Sequence, residues 1–468
     1  MTEMKEAIHR YFEEHTEDLI KDIAALVAVE SARGPALPGK PFGKGPAEAL
    51  ALAERMIADA GFTAVNHENY VVTGDMNGKE TKLSILAHLD IVPVGTGWTR
   101  PPLTLTREGN NLYGRGTADN KGPAVAVLYA MKCLKELGVE LSSNCRLILG
   151  ADEECGSGDL KYYFSKNPHT PFTVTPDAGY PIINTEKGRL ELEADGFFQK
   201  EVALPRVIAF HGGVKINVVP AGAEAEVVGL SQKELEPYIR AAEKKTGAKF
   251  ETEEQDGSVV IRSKGQNAHA AWPDTGINGI TALLTLLCSL PLADGCEKKI
   301  LEGINAIFPH GETDGSSAGI AMADEVSGAL TIALTMFELQ EGKIHLEADC
   351  RAPVCANDDN VTEVLRNRLS QIGLTVGGKK MTPPHHTPAD SPICKTLVKL
   401  YEEYTSRKGE CIAIGGGTYV HDIEGGVGFG CNFPEDECGA HGPDEHSFLN
   451  NLLLSGELYA RLILEICG

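Results

Sequence analysis

The stretch LSILAHLDIVPVG, residues 83–95, decides the fold of this sequence and gives the first indication of its chemistry. It begins as a run of strand-forming apolar residues, which is typical of a strand buried on both faces of a sheet. His88 and Asp90 then stand two positions apart where the apolar run ends. Side chains two apart on a strand point to the same face, so this imidazole and this carboxylate can contact each other.

A histidine with an aspartate beside it has two interpretations. The carboxylate can fix the tautomer of a metal-binding imidazole and raise its basicity, or it can satisfy the second nitrogen of an ordinary core histidine. The pair His88 and Asp90 leaves both interpretations open, so the choice depends on the rest of the chain.

Composition and charge exclude several classes of partner. The chain has 468 residues, of which 42% are hydrophobic, and this indicates a globular protein with two or three domains. A formal charge of −23 excludes phosphate backbones and anionic membranes as partners. The first 20 residues lack a basic start followed by an apolar core, and the apolar stretches are too short to span a bilayer. We therefore expect a cytoplasmic protein.

The cysteines limit the kind of metal site that can be expected. There are 12 of them, scattered and without a Cys-x-x-Cys pair, and since the first residues do not have the pattern of an export signal we expect reduced thiols of a cytosolic protein. A thiolate zinc site is therefore not expected, and any metal has to be held by His, Asp and Glu. We expect Cys155, next to Glu154, to be a buried and unreactive thiol.

The first part of the chain predicts an α/β fold with a mostly parallel sheet and helices on both faces. Residues 3–29 and 46–60 have helical patterns, and 124–138 predicts a buried helix closed by Gly138. Strand-like runs alternate with these helices, as in parallel sheets covered by helices. We assign residues 1–187 to the first part of this domain.

The pattern changes near residue 188. Segments such as GRLELEADGFF alternate polar with apolar residues, as half-exposed antiparallel strands do. Candidate helices lie at 231–247, 278–290 and 358–372, and Ser231 with Glu234 predicts a capping box for the first of them. We assign 188–384 to an inserted α+β domain and 385–468 to the second part of the first domain, ending in a helix over 447–466.

Acidic and imidazole side chains recur where apolar strands give way to loops. They are His88, Asp90, Asp119, Glu153, Glu154 and Asp177. The carboxyl ends of parallel strands form one edge of a sheet, where ligands bind, so these side chains can converge. Taken singly, each carboxylate also fits a turn, a helix cap or a solvated surface.

Several carboxylates in one crevice are costly unless cations neutralise them. Two divalent ions roughly 3.5–4 Å apart, bridged by a carboxylate and a hydroxide, would do so and would generate a nucleophile. Histidine and carboxylate ligands without thiolates suit Zn²⁺, and also Mn²⁺ or Co²⁺. The sequence therefore predicts a two-metal site.

The ordered motifs AHLDIVPVG, GRGTADNKGP, DEECGSGD, TPDAGYPI and GAHGPDE resemble those of the co-catalytic di-zinc exopeptidases and deacylases. That family includes carnosinases, acetylornithine deacetylase and succinyl-diaminopimelate desuccinylase. Length, insertion size and motif wording resemble most closely the bacterial PepV-type (Xaa-His) dipeptidases. The resemblance runs over most of the chain and implies a zinc-exopeptidase-like catalytic domain with an inserted lid domain.

The resemblance also implies a role for each residue of the cluster. One ion would be held by His88 and Asp177, the other by Glu154 and His441, with Asp119 bridging the two. Asp90 would orient His88, and Glu153 would be the general base that carries the proton from water to the leaving amine.

In the inserted domain, the resemblance implies that His269 polarises the scissile carbonyl and that Asn217 and Arg351 bind substrate. For Arg351 the alternative is a surface ion pair, because Glu347 and Asp349 lie on the same strand face. The Gly-rich stretch 412–422 resembles a substrate wall and contributes two further candidates, Gly416 and Thr418. The large insertion resembles those of monomeric members of the family.

Three functions remain open at this stage. The first is a metallopeptidase that hydrolyses dipeptides with free termini, of the β-Ala-Xaa or Xaa-His type and broader, by a hydroxide bridging two metal ions. The second is an N-acyl amino acid deacylase of the acetylornithine or succinyl-diaminopimelate type. The third is a non-catalytic, metal-dependent peptide-binding protein on the same fold.

Overall fold

The computed structural model describes residues 2–199, 202–255 and 257–468. These residues form eleven α-helices and two short 3-10 helices, the latter at Glu153–Cys155 and Pro273–Thr275. The α-helices are α1 Thr2–Glu14, α2 Thr16–Val27, α3 Lys44–Asp59, α4 Lys121–Glu136, α5 Gly158–Phe164, α6 Gln232–Thr246, α7 Gly279–Ser289, α8 Cys296–Ile307, α9 Thr362–Ser370, α10 Pro392–Thr405 and α11 Leu449–Cys467. No helix of the described residues is both long and apolar enough to cross a bilayer.

The strands are numbered in chain order. They are β1 Thr63–His67, β2 Val71–Asp75, β3 Thr81–His88, β4 Thr106–Glu108, β5 Asn111–Tyr113, β6 Asn144–Gly150, β7 Phe172–Thr175, β8 Ile182–Glu186, β9 Gly188–Phe197, β10 Arg206–Gly212, β11 Val218–Val219, β12 Gly222–Val228, β13 Lys249–Gln255, β14 Ser258–Lys264, β15 Ala268–His269, β16 Ala323–Asp324, β17 Gly328–Ala329, β18 Thr331–Gln340, β19 Lys343–Ala352, β20 Leu374–Val376, β21 His385–His386, β22 Cys411–Ile414, β23 Val427–Gly428 and β24 His446–Phe448.

The chain folds as two compact units. The first unit comprises Met1–Thr185, His385–Ile412 and Gly417–Gly468, and the second comprises Glu186–Pro384 and Ala413–Gly416. Each unit has its own hydrophobic core.

The α/β class of the first unit is confirmed, and its sheet contains both parallel and antiparallel strand pairs. The strand order is β1-β2-β6-β3-β7-β23-β8-β21, with β22 pairing with β8. The central strands β6, β3, β7 and β23 run parallel to their neighbours in that group. The strands β1 and β2 are antiparallel, since the link of three residues between them is too short for a parallel crossover.

Both faces of β3 are covered, as its apolar run predicts. Leu83, Ile85 and Ala87 face the larger core, to which α4 and α11 contribute. Leu86 faces a smaller core on the opposite side, formed with α5 and Tyr419. Because side chains alternate along a strand, His88 follows Leu86 on that second face, where its ring lies edge-on to Tyr419 with the centroids 6.0 Å apart.

The second unit is an antiparallel sheet with helices packed against it, as the alternation of its sequence predicts. Its eight strands follow the order β13-β14-β12-β10-β18-β19-β9-β20. The helix α6 begins with the predicted capping box of Ser231 and Glu234 and ends at Gly247, whose φ is 75°. Only glycine adopts this left-handed conformation at little cost.

Candidate metal centre

Three neighbouring parallel strands deliver the candidate ligands to one edge of the sheet. His88 is the last residue of β3. Glu153 and Glu154 lie in the 3-10 helix that follows β6, and Asp177 lies two residues beyond β7. Because β3 pairs in parallel with both β6 and β7, the carboxyl ends of all three strands meet.

His88 lies at the bottom of the cluster. Its side chain is fully buried, and its Nε2 atom lies 2.8 Å from Asp119 Oδ1 and 3.6 Å from Asp177 Oδ2. Asp119 comes from the Gly-rich loop that immediately precedes α4. The structure therefore brings His88, Asp119 and Asp177 together, although 89 positions separate the first from the last.

His441 completes the cluster from the solvent side. Its side chain is 54% exposed, and its Nε2 atom lies 2.8 Å from Asp119 Oδ2 and 3.0 Å from Glu154 Oε1. The two oxygens of Asp119 thus face different imidazoles, His88 on one side and His441 on the other. This arrangement suits a carboxylate that bridges two ions.

Two groups of donor atoms are compact enough to hold a metal ion. In each group the donor atoms lie within 4.8 Å of one another. One group is His88, Glu153 and Asp177, and the other is His88, Asp119 and Glu154. Glu153, expected to act as the base, therefore lies close enough to be a ligand as well.

Asp90 contacts the cluster in a way that the sequence did not predict. His88 Nδ1 lies 3.1 Å from the backbone carbonyl oxygen of Asp90 and 3.4 Å from its carboxylate. The buried carboxylate also accepts the backbone N–H groups of Glu153, at 3.2 Å, and Glu154, at 3.1 Å. Asp90 therefore fixes the turn that carries both glutamates, in addition to lying beside His88.

The carboxylates raise the pKa of both imidazoles. For His88, burial opposes the charge, but Asp177 and then Asp119 outweigh it and hold the pKa well above its usual range. Hydrogen bonding to Asp119 and then Glu154 raises the pKa of His441 to about 11. The same contacts to His441 and His88 overcome the burial of Asp119 and lower its pKa.

Burial is the main cause of the shifts at the two glutamates. It raises the pKa of Glu153 well above its usual range, and the neighbouring carboxylates add to the effect. Burial also raises the pKa of Glu154, against the hydrogen bond to His441. The cluster as a whole is therefore short of positive charge, and imidazole and carboxylate donors in this number fit divalent ions of the zinc or manganese type.

The second unit contains the remaining candidates except Thr418. Asn217 and His269 are neighbours there, because β11 pairs with β15 and the N–H of Ala270 donates to the Asn217 carbonyl at 3.0 Å. His269 Nδ1 accepts the N–H of Ala271 at 3.1 Å. A neutral ring in that position carries its proton on Nε2, which is the form that can donate to a carbonyl oxygen.

Arg351 is buried and bound within its own unit. Its Nε and Nη2 atoms donate to the two carboxylate oxygens of Asp349 at 2.5 and 2.9 Å, and Nη1 donates to the Gly415 carbonyl at 2.6 Å. The alternative of an ion pair on this strand is thus present, but the pair is buried. Gly416 follows directly on this anchored segment, whereas Thr418 belongs to the first unit, where its carbonyl accepts the N–H of His421.

Two outcomes differ from the sequence analysis. Cys155 is exposed, so its predicted burial is wrong, because the turn after β6 places it on the solvent side. Partial desolvation and the nearby Asp152 still raise the pKa of its thiol.

Arg115 and Glu445 form a buried ion pair of 2.6 Å. Both residues lie inside motifs that the sequence analysis singled out, but that analysis gave them no role. No pattern in the sequence pairs them, since 330 positions separate the two residues.

Comparison with known proteins finds one peptidase family and relatives named as dipeptidases. The family model described as peptidase family M20/M25/M40 matches residues 85–465. "Putative dipeptidase YtjP" of Bacillus subtilis is 33% identical over 456 residues, which is 96% of this chain and 97% of that protein. The Beta-Ala-Xaa dipeptidase of Lactobacillus delbrueckii subsp. lactis is 32% identical over 455 residues, 96% of each chain.

A solved structure shares the fold at low sequence identity. Human carnosine dipeptidase 1 superposes with a TM-score of 0.62 at 15% identity, covering 99% of this chain and 98% of that chain. This likeness extends over the whole chain and concerns the fold alone.

Proposed function

This chain belongs to the peptidase family M20/M25/M40, and from that membership we propose that it is a metal-dependent dipeptidase. Its substrates are dipeptides with a free amino and a free carboxyl terminus, of the β-Ala-Xaa or Xaa-His type and broader. The single observation that carries this choice of substrate is the 32% identity to the Beta-Ala-Xaa dipeptidase over 96% of the chain.

The metal centre is the first element of the proposal. His88 and Asp177 would hold one divalent ion, Glu154 and His441 the other, and Asp119 would bridge them. The contacts of both Asp119 oxygens with different imidazoles, each of 2.8 Å, support this division. Zinc is the proposed metal, with manganese or cobalt as alternatives. Such ions supply Lewis acidity and a water of lowered pKa.

Glu153 is the proposed general base. It would accept a proton from the attacking water at a carboxylate oxygen and deliver it to the leaving amine nitrogen. The N–H of its backbone is held by Asp90, and its donor atom lies within 4.8 Å of those of His88 and Asp177. Asp90 has the supporting role of fixing this turn and of lying beside His88.

The second unit would contribute recognition and charge stabilisation. His269 is proposed to donate its Nε2–H to the oxygen of the scissile carbonyl, a contribution of about 3–4 kcal/mol for one such donor. Asn217, next to His269 through β11 and β15, is a proposed substrate ligand together with Arg351, Gly416 and Thr418. For Arg351 this requires that its guanidinium bind the substrate carboxylate in addition to Asp349 and Gly415.

A substrate panel with product identification tests the proposal. Purified protein is supplied with zinc or manganese and assayed on β-Ala-Xaa and Xaa-His dipeptides, on the same dipeptides with an acetylated amine, and on acetylornithine and succinyl-diaminopimelate. We expect release of free amino acids from the unblocked dipeptides and none from the acylated compounds. Hydrolysis confined to the acylated amino acids would replace the proposal with a deacylase, and no hydrolysis of either would leave a binding protein.

The proposal also covers the state of the molecule. We propose a monomer in the cytoplasm. The size of the inserted segment supports the monomer, and twelve free cysteines suit a reducing compartment. Light scattering after size-exclusion chromatography is expected to give a mass near the 50.1 kDa of one chain.

A further inference from the structure

We propose that the buried pair Arg115 and Glu445 is a positioning device that fixes the distance between Asp119 and His441. The inference rests on the proposed function, because these two residues are proposed metal ligands. Neither Arg115 nor Glu445 lies within the cluster itself, and each acts through the backbone of a loop that carries a ligand.

Glu445 organises the loop that presents Asp119. One oxygen of its carboxylate, Oε1, accepts three backbone N–H groups of that loop at 3.0, 3.1 and 3.2 Å: those of Gly116, Ala118 and Asp119. The backbone carbonyl of Glu445 also accepts the N–H of Gly114 at 2.9 Å. The N–H of the proposed bridging residue is therefore held directly by Glu445.

Arg115 connects the same carboxylate to the loop that presents His441. Its Nη1 atom donates to Glu445 Oε2 at 2.6 Å, and its Nη2 atom donates to the backbone carbonyl of His441 at 3.3 Å. A planar guanidinium holds two partners in a fixed relative orientation. The chain of contacts therefore runs from the Asp119 backbone through Glu445 and Arg115 to the His441 backbone.

The burial of the pair argues against a role in general stability. Arg115 is 1% exposed and Glu445 is fully buried. Burying two charges costs free energy that their attraction barely recovers, so apolar residues would serve stability as well or better.

The backbone conformation of His441 shows what the bond from Arg115 stabilises. His441 has a φ of 64°, which places a residue with a side chain in the left-handed region. Such a conformation persists only when surrounding contacts hold it, and it occurs often at functional sites. The bond from Arg115 to the His441 carbonyl is one of these contacts. It keeps Nε2 of His441 facing Asp119 and Glu154, at 2.8 and 3.0 Å.

Zinc titration of the metal-free protein, with a chromophoric chelator as competitor, tests the proposal. In Glu445→Gln only one acceptor oxygen remains for the three N–H groups and for Arg115. In Arg115→Lys the bond to Glu445 can form, but the second arm to His441 is lost. Mutating a residue that holds a metal ligand in place typically lowers the metal affinity by about 10–100-fold. We therefore expect zinc affinity to fall by about 10–100-fold in Glu445→Gln and by about 10-fold in Arg115→Lys.

A matched control separates positioning from general destabilisation. Arg146 and Asp75 form a bidentate pair of 2.8 and 2.9 Å in the same unit, and Arg146 stands near the start of β6, whereas the metal centre follows its end. Asp75→Asn is expected to keep the zinc affinity of the wild type within about twofold. Circular dichroism and thermal unfolding of each metal-free variant show which samples are folded before the titration.

Each outcome decides a different point. A wild-type protein that binds no zinc refutes the proposed function, and this inference with it. If the wild type binds zinc but both variants keep its affinity within twofold, the positioning role is overturned and the proposed function stands. The positioning role is overturned in the same way if Asp75→Asn loses as much affinity as Glu445→Gln. If Glu445→Gln does not fold, Arg115→Lys alone decides by the same criteria.

Discussion

Replacing Asp90 by asparagine tests how far the proposed catalytic turn depends on one buried carboxylate. Asp90 is 1% exposed, and its two oxygens accept the N–H groups of Glu153 and Glu154 at 3.2 and 3.1 Å. Asparagine keeps the size of the side chain but offers a single acceptor oxygen. Its NH₂ group then faces a backbone N–H, so one donor of this turn loses its partner.

The expected loss follows from these two bonds. A hydrogen bond to a charged group contributes about 1.5–3 kcal/mol, and one such bond disappears. At about 1.4 kcal/mol per tenfold, this corresponds to a decrease in kcat/KM of about 10–150-fold. The range overlaps the 10–100-fold that is typical when a partner behind a metal ligand is changed.

Steady-state hydrolysis of a β-Ala-Xaa dipeptide measures the effect, with zinc affinity determined on the same preparation. Asp324→Asn is the matched control, since the Asp324 carboxylate also accepts backbone N–H groups, those of Ser327 and Cys355 at 2.6 and 3.0 Å, but lies in the second unit. The control should keep wild-type activity. An Asp90→Asn protein with kcat/KM and zinc affinity within twofold of the wild type would show that the turn does not depend on this carboxylate.

Three further predictions concern the base, the metals and pH. Glu153→Gln should lower kcat by about 100-fold or more while both ions are retained, and loss of an ion on metal analysis would instead make Glu153 a ligand. Dialysis against a chelator should abolish hydrolysis, and zinc or manganese should restore it; activity that survives complete metal removal would contradict the proposal. Burial raises the pKa of Asp159 from 3.8 to about 6, so the folded state binds its proton more tightly than the unfolded state does. The stability of the wild type relative to Asp159→Asn in urea unfolding should therefore fall by about 2 kcal/mol from pH 4.5 to pH 7, and a rise would contradict it.

Helices with strong local signals could be predicted from the sequence. The capping box of Ser231 and Glu234 and the terminal Gly247 fix α6, because these signals act within a few residues. The helical pattern predicted over 3–29 is confirmed, but the chain breaks between α1 and α2 at His15. There the His15 ring lies 2.9 Å from the Tyr11 carbonyl, and Thr16 donates to the Phe12 carbonyl at 2.8 Å. Such side-chain bonds compete with helix continuation and leave little trace in hydrophobic periodicity.

The candidate site, too, could be predicted only in part from the sequence. The ends of β3, β6 and β7 could be predicted to meet, because parallel strands share an edge, and the structure does bring His88, Glu154 and Asp177 to that edge. The pairing of Arg115 with Glu445 could not be predicted, since 330 positions separate the two residues and no local pattern links them. The same holds for the bonds from the Asp90 carboxylate to the turn after β6, which depend on side-chain direction at a strand end.

The most direct test of the two-metal centre is an anomalous diffraction experiment on crystals grown with zinc, recorded on both sides of the zinc absorption edge. We predict two anomalous peaks on either side of Asp119, one beside His88 and Asp177 and one beside Glu154 and His441. An occupied zinc site elsewhere in the molecule with no peak at Asp119, or a single peak that contacts neither histidine, would contradict the assignment.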